Sequence, residues 1–399
     1  MNTNKELIMG LDIGSTKICA AICIINKAGE LSLVSVGTSI SAGLKKGRIE
    51  NAEELCDAIK KAVQKAEHKA GIRPDRVLIN LPLYGVEFAH NLGFILSKEE
   101  TGQISKNEKN ECIKRSGNIY KTSKQKILHV IPLFFKVDGT VVKNPVGVFG
   151  SNLEVQTHMI LGRTSAIMGI SNILKNLDLH ISGIIYDPIA VSQIMLTDAE
   201  RREGGVLVDI GGQFTKVSIF RDNLLHRSFF IPVGGTTLTQ DIATCLKTTI
   251  PEAERIKILH TNVNLEDVMP KEKIEILPQN SKQVEIDKLL LCQIAEARIA
   301  ELVELIKTEL DVKLDSSYTC VLAGCSSQIA GLRSYFQKKL EIHCRQGIPE
   351  DVTPIVEDIG IASAVGLIIY GIKTGAIPYQ SKPKNKIAAA VSGWAKKLF

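Results

Sequence analysis

A hairpin pattern that occurs twice constrains this chain more than any other feature. The first copy reads Leu11-Asp12-Ile13-Gly14-Ser15-Thr16-Lys17 and the second Val208-Asp209-Ile210-Gly211-Gly212-Gln213-Phe214-Thr215-Lys216, each ending one apolar strand and opening another. Glycines let backbone N–H groups approach an anion, hydroxyls and a lysine add donors, and an aspartate at a strand end can hold a hydrated divalent cation. The repeat predicts a duplicated phosphate clamp in which two hairpins, one in each lobe, grip one triphosphate.

The same signature also has a simpler explanation. Asp-Ile-Gly after an apolar run is typical of any tight strand-to-strand turn, and one copy alone is weak evidence for nucleotide binding. Two copies with the same strand-turn-strand pattern, spaced widely enough for a lobe between them, favour the clamp.

Length and composition limit the class of protein. With 399 residues, of which 44% are hydrophobic, the chain predicts two or three domains of ordinary size. It has no run of about 20 apolar residues and no charged-then-apolar export signal at its start, so we expect a protein that stays in the cytosol. Nine cysteines without a Cys-x-x-Cys pair predict mostly buried, reduced thiols, and the histidines lack metal-ligand spacing.

Charge is concentrated at the C-terminal end. The net charge is +6, and five lysines lie in the last stretch, where there is no acidic residue: Lys382, Lys384, Lys386, Lys396 and Lys397. The nearly neutral remainder argues against a nucleic-acid footprint, whereas the basic end predicts contact with an anionic surface such as a membrane.

The order of apolar segments predicts two α/β lobes, each with an insert. The first lobe contains a helix that Asn51 caps and Gly71 ends; its apolar stripe is Leu55, Ile59, Val63 and Ala66. Its insert combines a polar helix around 105–121 with strands at 127–130 and 133–137 and a hairpin turn at Asp138-Gly139. The polar segment 197–205 is predicted as the connector between lobes. The second insert is predicted to contain a helix from 287 to 310 and an exposed polar loop at 270–283.

The predicted boundaries follow from this reading. They are 1–85, 163–198 and 350–375 for subdomain 1A, 86–162 for the inserted subdomain 1C, 199–240 and 311–349 for subdomain 2A, 241–310 for subdomain 2B, 376–385 for a linker and 386–399 for a C-terminal amphipathic helix.

Four further segments complete a predicted nucleotide pocket. Asp187 follows an apolar strand, Gly234-Gly235 is another glycine turn, Glu254 and Lys257 share one helix face, and Gly324-Cys325-Ser326 is a small-residue turn after a strand. Together these segments resemble the ATPase core of actin, Hsp70 and sugar kinases.

Within that superfamily the chain resembles the FtsA family, the bacterial cell-division actin homologues that anchor the tubulin-like FtsZ ring to the membrane. The resemblance covers nearly the whole chain and includes four segments besides the first hairpin: His129-Val130-Ile131-Pro132, Lys143-Asn144-Pro145-Val146-Gly147, Leu196-Thr197 and Ser363-Ala364-Val365-Gly366-Leu367. It implies an α/β, two-lobed actin-like (ribonuclease H-like) ATPase fold with an inserted α+β subdomain and a C-terminal amphipathic helix. It also implies ATP and Mg²⁺ as ligands and assembly into filaments.

The resemblance assigns roles residue by residue. It implies that Asp12 and Asp209 flank Mg²⁺ through water and that Asp187 positions water. Phosphates would be lined by Ser15, Thr16, Lys17, Gly211 and Gly212, ribose and base would be held by Glu254 and Lys257, Gly324 would back the adenine, and Gly14, Gln213, Gly234, Gly235, Cys325 and Ser326 complete the nucleotide-binding set. An exposed helix ion pair is the alternative for Glu254 and Lys257.

The second hairpin departs from the superfamily pattern. Gln213 replaces a third glycine, Phe214-Thr215-Lys216 stands where many relatives have a threonine and an aspartate, and Cys325 replaces a glycine of the adenine turn. We expect ATP to bind, because backbone donors and both aspartates remain. We expect hydrolysis to be slow at most, because it needs a precisely held water and a complete clamp.

The long helix carries a candidate partner site. Arg298 lies at the rim of the stripe formed by Ile294, Leu302 and Ile306, with Glu301 beside it. Segment 296–302 resembles the family's docking site for the C-terminal peptide of FtsZ. A plain surface ion pair explains the spacing equally well.

The last residues predict a helix on the membrane surface. At about 100° per residue, Ile387, Val391, Trp394 and Leu398 fall within an arc of roughly 60°, while Lys396 lies opposite and Lys386 and Lys397 flank the stripe. Phe399 ends the predicted membrane-binding set. Docking of this stripe on the protein's own body is the alternative, and the Gly- and Pro-containing segment 375–383 favours a detached tail.

The sequence thus predicts an ATP-binding, actin-like cell-division protein that polymerises on the inner face of the cytoplasmic membrane at the septum and tethers the FtsZ ring. Its predicted partners are the FtsZ peptide, further copies of itself, anionic lipid and other division proteins. Two alternatives stay open: an ATP-dependent small-molecule kinase, although no sugar site is evident, and a pilus-assembly adaptor of the same fold, which should lack the lipid-binding tail.

Overall fold

The computed structural model describes residues 6–25, 31–97, 102–118, 122–279, 282–310, 314–347 and 359–375. The chain divides into two compact units. The first contains the described residues up to Gln193, Asn223–Ser228 and those from Ser363 onward, and the second contains Ile194–Asp222 and Phe229–Ala362. Each unit is built on a five-stranded sheet.

The first unit begins with a three-stranded meander and a helix. Its elements are Glu6–Ile13 (β1), Lys17–Ile25 (β2), Leu31–Ile40 (β3), Leu44–Lys45 (β4), Arg48–Ile49 (β5), Ala52–Ala70 (α1) and Arg76–Ile79 (β6). The prediction for α1 is confirmed: the Asn51 side chain accepts the N–H groups of Glu53 and Glu54, and Gly71 ends the helix with a φ of 66°. The predicted apolar stripe is buried, which fixes α1 against β3.

The segment that follows forms a separate antiparallel sheet. Its elements are Val86–Leu96 (β7), Lys106–Ser116 (α2), Gln125–Val137 (β8), Thr140–Val142 (β9) and Asn152–Arg163 (β10), and the strand order is β7-β10-β8-β9. The hairpin turn at Asp138 and Gly139 is confirmed, and both residues have positive φ. The predicted break between two strands is wrong, because β8 runs through Pro132 beside a register shift. A bulge tolerates a residue without an N–H donor.

The first unit then returns to its main sheet. Thr164–Lys175 (α3), His180–Ile184 (β11) and Asp187–Met195 (α4) follow the insert. The completed sheet has the order β11-β6-β1-β2-β3, in which β6 and β11 run parallel to β1 whereas β2 and β3 form the antiparallel meander.

The second unit repeats this order. Its elements are Asp198–Glu203 (α5), Gly205–Ile210 (β12), Thr215–Arg221 (β13), Leu224–Ile231 (β14, of which residues up to Ser228 group with the first unit), Gly235–Cys245 (α6), Ile250–His260 (α7), Lys273–Ile276 (β15), Val284–Asp287 (β16), Lys288–Leu310 (α8), Thr319–Ala323 (β17), Leu332–Leu340 (α9) and His343–Gln346 (β18). The sheet order is β18-β17-β12-β13-β14, with β17 parallel to β12 and β18 parallel to β17. Ala362–Thr374 (α10), which belongs to the first unit from Ser363 onward, comes last in the described chain.

Two segments of this unit differ from the sequence predictions. Helix α5 forms inside the predicted polar connector, because Thr197 and Glu200 make a reciprocal capping box. Strands β15 and β16 form within and beside the predicted exposed loop 270–283, because Ile274 and Ile276 alternate with charged residues and are buried in the core.

Among the helices of the described ranges, none has the length and apolar character needed to cross a membrane.

Candidate functional site

The two predicted glycine turns share one backbone geometry. The N–H of Gly14 donates to the carbonyl of Lys17 at 3.1 Å, and the N–H of Gly211 donates to the carbonyl of Phe214 at 3.0 Å. Ser15 and Thr16 therefore occupy the positions that Gly212 and Gln213 occupy in the second turn. The sequence repeat is a structural repeat.

In the first unit, a residue that the sequence reading missed holds the predicted aspartate. Asn80, which follows β6 and is 4% exposed, accepts the N–H of Ile13 at 2.7 Å and donates to Oδ1 of Asp12 at 2.5 Å. The amide thus fixes the orientation of the Asp12 carboxylate at the end of β1. Only the parallel pairing of β6 with β1 brings Asn80 to this position.

Asp187 opens α4 and is buried in the same unit. Its carboxylate accepts a hydrogen bond from the hydroxyl of Ser363, which stands at the start of α10. The preceding residue, Tyr186, donates its N–H to Nε2 of His129 at 3.0 Å. Burial lowers the pKa of His129 to about 4, so this imidazole is a neutral acceptor at physiological pH.

In the second unit, three glycine-containing turns pack directly on one another. The N–H of Gly235 donates to the carbonyl of Gly211 at 2.9 Å, and Ser326 Oγ lies 3.4 Å from the same carbonyl oxygen. A Cβ on Gly234 would lie 2.5 Å from the carbonyl oxygen of Gly212, so backbone meets backbone without room for a side chain. The structure thus brings together three segments that lie far apart in the sequence. Cys325, beside Ser326, is exposed.

The predicted Glu254–Lys257 pair adjoins these turns. Nζ of Lys257 donates to three acceptors: Oε2 of Glu254 at 2.7 Å, Oγ1 of Thr239 at 3.0 Å and the carbonyl of Gly235 at 3.2 Å. Only 7% of the Lys257 side chain is exposed, compared with 45% for Glu254. Lys257 therefore braces the Gly235 turn from inside the protein, and Glu254 is the member of the pair that a ligand can reach.

The second aspartate differs from the first in its surroundings. Asp209 lies opposite Lys216 in the β12–β13 pair, and its Oδ2 is 2.9 Å from the Lys216 Nζ. The corresponding register partner of Asp12 is Cys19. A cation thus already lies against the second carboxylate.

The neighbours of Asp12 and Asp209 determine how well each carboxylate could flank the predicted Mg²⁺. Within the described ranges, no group of three or more histidine, cysteine and carboxylate side chains is arranged to hold a metal ion. Mg²⁺ usually keeps several of its waters and binds proteins through only one or two carboxylates. Asp12 can provide one of these, because the neutral amide of Asn80 orients its carboxylate. Asp209 fits a metal-flanking role poorly, because the Lys216 ammonium already lies against it.

The candidate partner residue is also engaged within the second unit. The guanidinium of Arg298 on α8 contacts Asp241 on α6 through two bonds, Nε–Oδ2 at 2.5 Å and Nη2–Oδ1 at 3.0 Å, and it also contacts Glu301. The predicted stripe of α8 faces the core, with Leu302 and Ile306 buried. Arg298 is half-buried at the rim, as the sequence indicated, but it links two helices.

The predicted membrane-binding residues Ile387, Val391, Trp394, Lys396, Lys397, Leu398 and Phe399 lie outside the described residues, as does the predicted linker 376–385.

Comparisons with known proteins agree on one family. A family model described as "Cell division protein FtsA" matches residues 206–366, and a model described as "SHS2 domain inserted in FTSA" matches residues 86–161. The chain is 28% identical to the cell division protein FtsA of Borreliella burgdorferi over 409 aligned positions, which cover 98% of each chain.

Solved structures show the fold. The PilM-PilN type IV pilus biogenesis complex contains a chain with a TM-score of 0.66 at 16% identity, covering 92% of this chain and 98% of that one. MreB 5 of Spiroplasma citri bound to AMPPNP gives a TM-score of 0.55 at 12% identity, covering 98% and 99%. At these identities the likeness concerns the fold alone, and it confirms the predicted actin-like α/β class.

Proposed function

Because the chain belongs to the FtsA family of cell-division proteins, we propose that it binds Mg-ATP, assembles with further copies of itself on the inner face of the cytoplasmic membrane and tethers the FtsZ ring there. The family and the actin-like fold are the premise of this proposal. The ligand, the lipid contact and the FtsZ contact are what it adds.

The observation that carries the nucleotide part is the packing in the second unit. Three glycine turns meet backbone to backbone, and a buried lysine braces one of them while an acidic side chain stays accessible beside it. Backbone turns of this kind offer N–H groups to phosphate oxygens, and a carboxylate accepts hydrogen bonds from ribose hydroxyls. The turn at Gly14 in the first unit repeats the hydrogen bond of the Gly211 turn.

We propose that ATP acts mainly as a structural ligand. Asp187 is the candidate for positioning water, and its carboxylate is engaged by Ser363. In the second turn Gln213 replaces a third glycine of the superfamily pattern, and Phe214-Thr215-Lys216 stands where many relatives have a threonine and an aspartate. Hydrolysis depends on a water held in line by preorganised groups, and these departures leave that water less well defined.

The membrane part rests on the sequence of residues 386–399. An apolar stripe flanked by lysines binds an anionic surface weakly on its own, since each lysine contributes about 1 kcal/mol. Assembly multiplies the tails that contact one membrane and makes attachment firm. Self-assembly and membrane attachment therefore support each other.

Electron microscopy on lipid monolayers tests the proposal. The full chain is applied to monolayers with and without anionic lipid, in the presence and absence of Mg-ATP, and a Trp394→Glu variant serves as the control that cannot dock. We expect filaments on the anionic monolayer with Mg-ATP and bare lipid with the variant. Protein bound without filaments would remove self-assembly from the proposal, and equal binding of both chains would remove the tether.

A further inference from the structure

The cation that lies against Asp209 in this chain is the ammonium group of Lys216. The two residues face each other across β12 and β13, with Nζ 2.9 Å from Oδ2, and only 9% of the Asp209 side chain and 16% of the Lys216 side chain are exposed. Solvent and salt screen such a pair weakly, so each charge depends on the other.

The two hairpins differ in the residue that faces the aspartate across the strand pair. At the same register position, the residue opposite Asp12 is Cys19, and the Asp12 carboxylate accepts a hydrogen bond from the neutral amide of Asn80. Both hairpins therefore keep the aspartate, but only the second places a lysine directly opposite it.

The other oxygen of Asp209 is enclosed by the turn after β17. Its Oδ1 is 2.5 Å from the position that a Cβ would take on Gly324, so the carboxylate packs against the backbone of that glycine, whose φ is +80°. A hydrated Mg²⁺ flanking Asp209 would have to displace the ammonium or add two positive charges beside it. Mg²⁺ also gives up its water reluctantly and demands near-octahedral oxygen ligands.

We propose that Lys216 is a phosphate-binding residue of the second turn, which supplies at Asp209 the positive charge that Mg²⁺ would otherwise supply there. This inference rests on the proposed ATP binding. A lysine ammonium binds phosphate as a point charge, and the glycine-turn amides beside it provide direction. ATP binding by this chain therefore tolerates removal of Mg²⁺ better than a site with two metal-flanking carboxylates.

Calorimetric titration of ATP into the full chain, once with Mg²⁺ and once with EDTA, tests the proposal. We expect the wild type to lose less than about tenfold in affinity on chelation. Lys216→Met should lose more than about tenfold in EDTA relative to the wild type, which is the effect of one charged hydrogen bond. Mg²⁺ should restore its binding, because Asp209 can then take the metal. In Lys216→Met/Asp209→Asn, Mg²⁺ should restore less of the binding, because Asp12 is then the only one of the two aspartates left to flank the metal.

Each other outcome overturns a defined part. Wild-type binding that disappears in EDTA overturns the role of Lys216 while leaving the nucleotide site intact, whereas no binding in either buffer overturns the nucleotide site and the role of Lys216 with it. If Lys216→Met loses cooperative thermal unfolding, Lys216→Arg replaces it. That variant keeps the charge, so it should keep the wild-type tolerance of EDTA, and Mg²⁺-dependent binding by it would contradict the proposal.

Discussion

Asn80 joins the end of β6 to the end of β1 through two hydrogen bonds of one amide group. Its oxygen accepts the N–H of Ile13 at 2.7 Å, and its nitrogen donates to Oδ1 of Asp12 at 2.5 Å. Buried and satisfied on both sides, it fixes the aspartate that the proposed nucleotide site needs most.

Replacing that amide by a carboxylate should damage the site at neutral pH. Asn80→Asp keeps the acceptor for Ile13 but loses the donor to Asp12 and places like charges together, so we expect a loss of stability of about 2 kcal/mol or more and no thermal shift with Mg-ATP. The two neighbouring carboxylates of the variant share a proton whose pKa is raised in the folded state, so the loss of stability relative to the wild type should shrink as pH falls. Urea unfolding at about pH 7.5 and about pH 5 measures it.

Asn91→Asp is the matched control, since the Asn91 amide donates to the backbone carbonyl of Ser116 in the insert, whereas the Asn80 amide donates to a carboxylate. It should lose stability but keep the thermal shift with Mg-ATP. An unchanged shift in Asn80→Asp would show that the orientation of Asp12 does not matter for the ligand.

Sequence periodicity was sufficient for the elements whose signals are local. Asn51, the apolar stripe and Gly71 bracket α1 because caps and burial act within a few residues. The capping box of Thr197 and Glu200 was equally local, but it lies in a segment so polar that it resembled a connector. The strand through Pro132 was missed because a bulge, which depends on the partner strand, accommodates the proline.

The contacts within the candidate site divide in the same way. Asp209 and Lys216 face each other across a four-residue turn, so hairpin register alone could have paired them. Asn80 reaches Asp12 only through a parallel pairing of distant strands, and Lys257 reaches the Gly235 turn only through the packing of α7 on α6. Long-range contacts of this kind have no signature in one sequence.

Lys257 should matter for folding more than for direct ligand contact. Lys257→Met removes two buried hydrogen bonds, to the Gly235 carbonyl and Thr239, and a part-buried one to Glu254. Glu254 is partly exposed and can be solvated after the change, so we expect a stability loss of about 2 kcal/mol. Glu254→Gln takes the counter-charge from the buried Lys257 ammonium, so we expect a smaller loss of about 1 kcal/mol together with weaker ATP binding. Chemical unfolding and calorimetric titration separate the two effects.

The control for this pair is Lys307→Met on α8, which breaks an exposed contact with Glu304 at the same sequence spacing. A change below about 0.5 kcal/mol is expected there. If Lys257→Met were equally mild, the buried network would not support the turn.

Arg298 should affect partner binding, but through a linked pair of helices. Arg298→Glu removes the cation between Asp241 and Glu301 and adds a third acidic side chain beside them, so we expect a stability loss of about 1 to 2 kcal/mol. We also expect weaker binding of the FtsZ C-terminal peptide, measured by fluorescence anisotropy. Arg255→Glu, which breaks the ion pair of the exposed Arg255 with Glu252 on α7, is the matched charge change. Equal peptide affinities of the two variants would assign Arg298 a structural role alone.

His158 should make stability depend on pH. Its imidazole is fully buried between Phe88 and His90, neither ring nitrogen has a hydrogen-bond partner within the described structure, and burial lowers its pKa to about 4. The unfolded chain takes up this proton near its ordinary pKa of about 6.5, so the contribution is complete above that pH and is lost as pH falls towards 4.

His158→Phe removes both the titration and the unsatisfied nitrogens. We expect it to be more stable than the wild type by about 1 kcal/mol at about pH 7.5, and its stability to fall less steeply between about pH 6.5 and pH 4.5. His129 titrates in the same range and leaves a residual slope. Parallel pH profiles of the two proteins in urea unfolding would contradict this account of His158.

The last prediction concerns the tail, residues 386–399, which lie outside the described structure. Trp394 stands at the centre of the predicted apolar stripe, so Trp394→Glu should place a charge where lipid contact is needed and abolish most vesicle binding, whereas Ser392→Ala at the edge should change little. Co-sedimentation with anionic vesicles measures this, and wild-type binding should weaken as salt screens the lysines. A chain ending at residue 385 should keep its cooperative unfolding and its Mg-ATP thermal shift while staying in the supernatant. If that chain pelleted like the wild type, the lipid contact would belong to another part of the protein, and if it failed to fold, the tail would be part of the body.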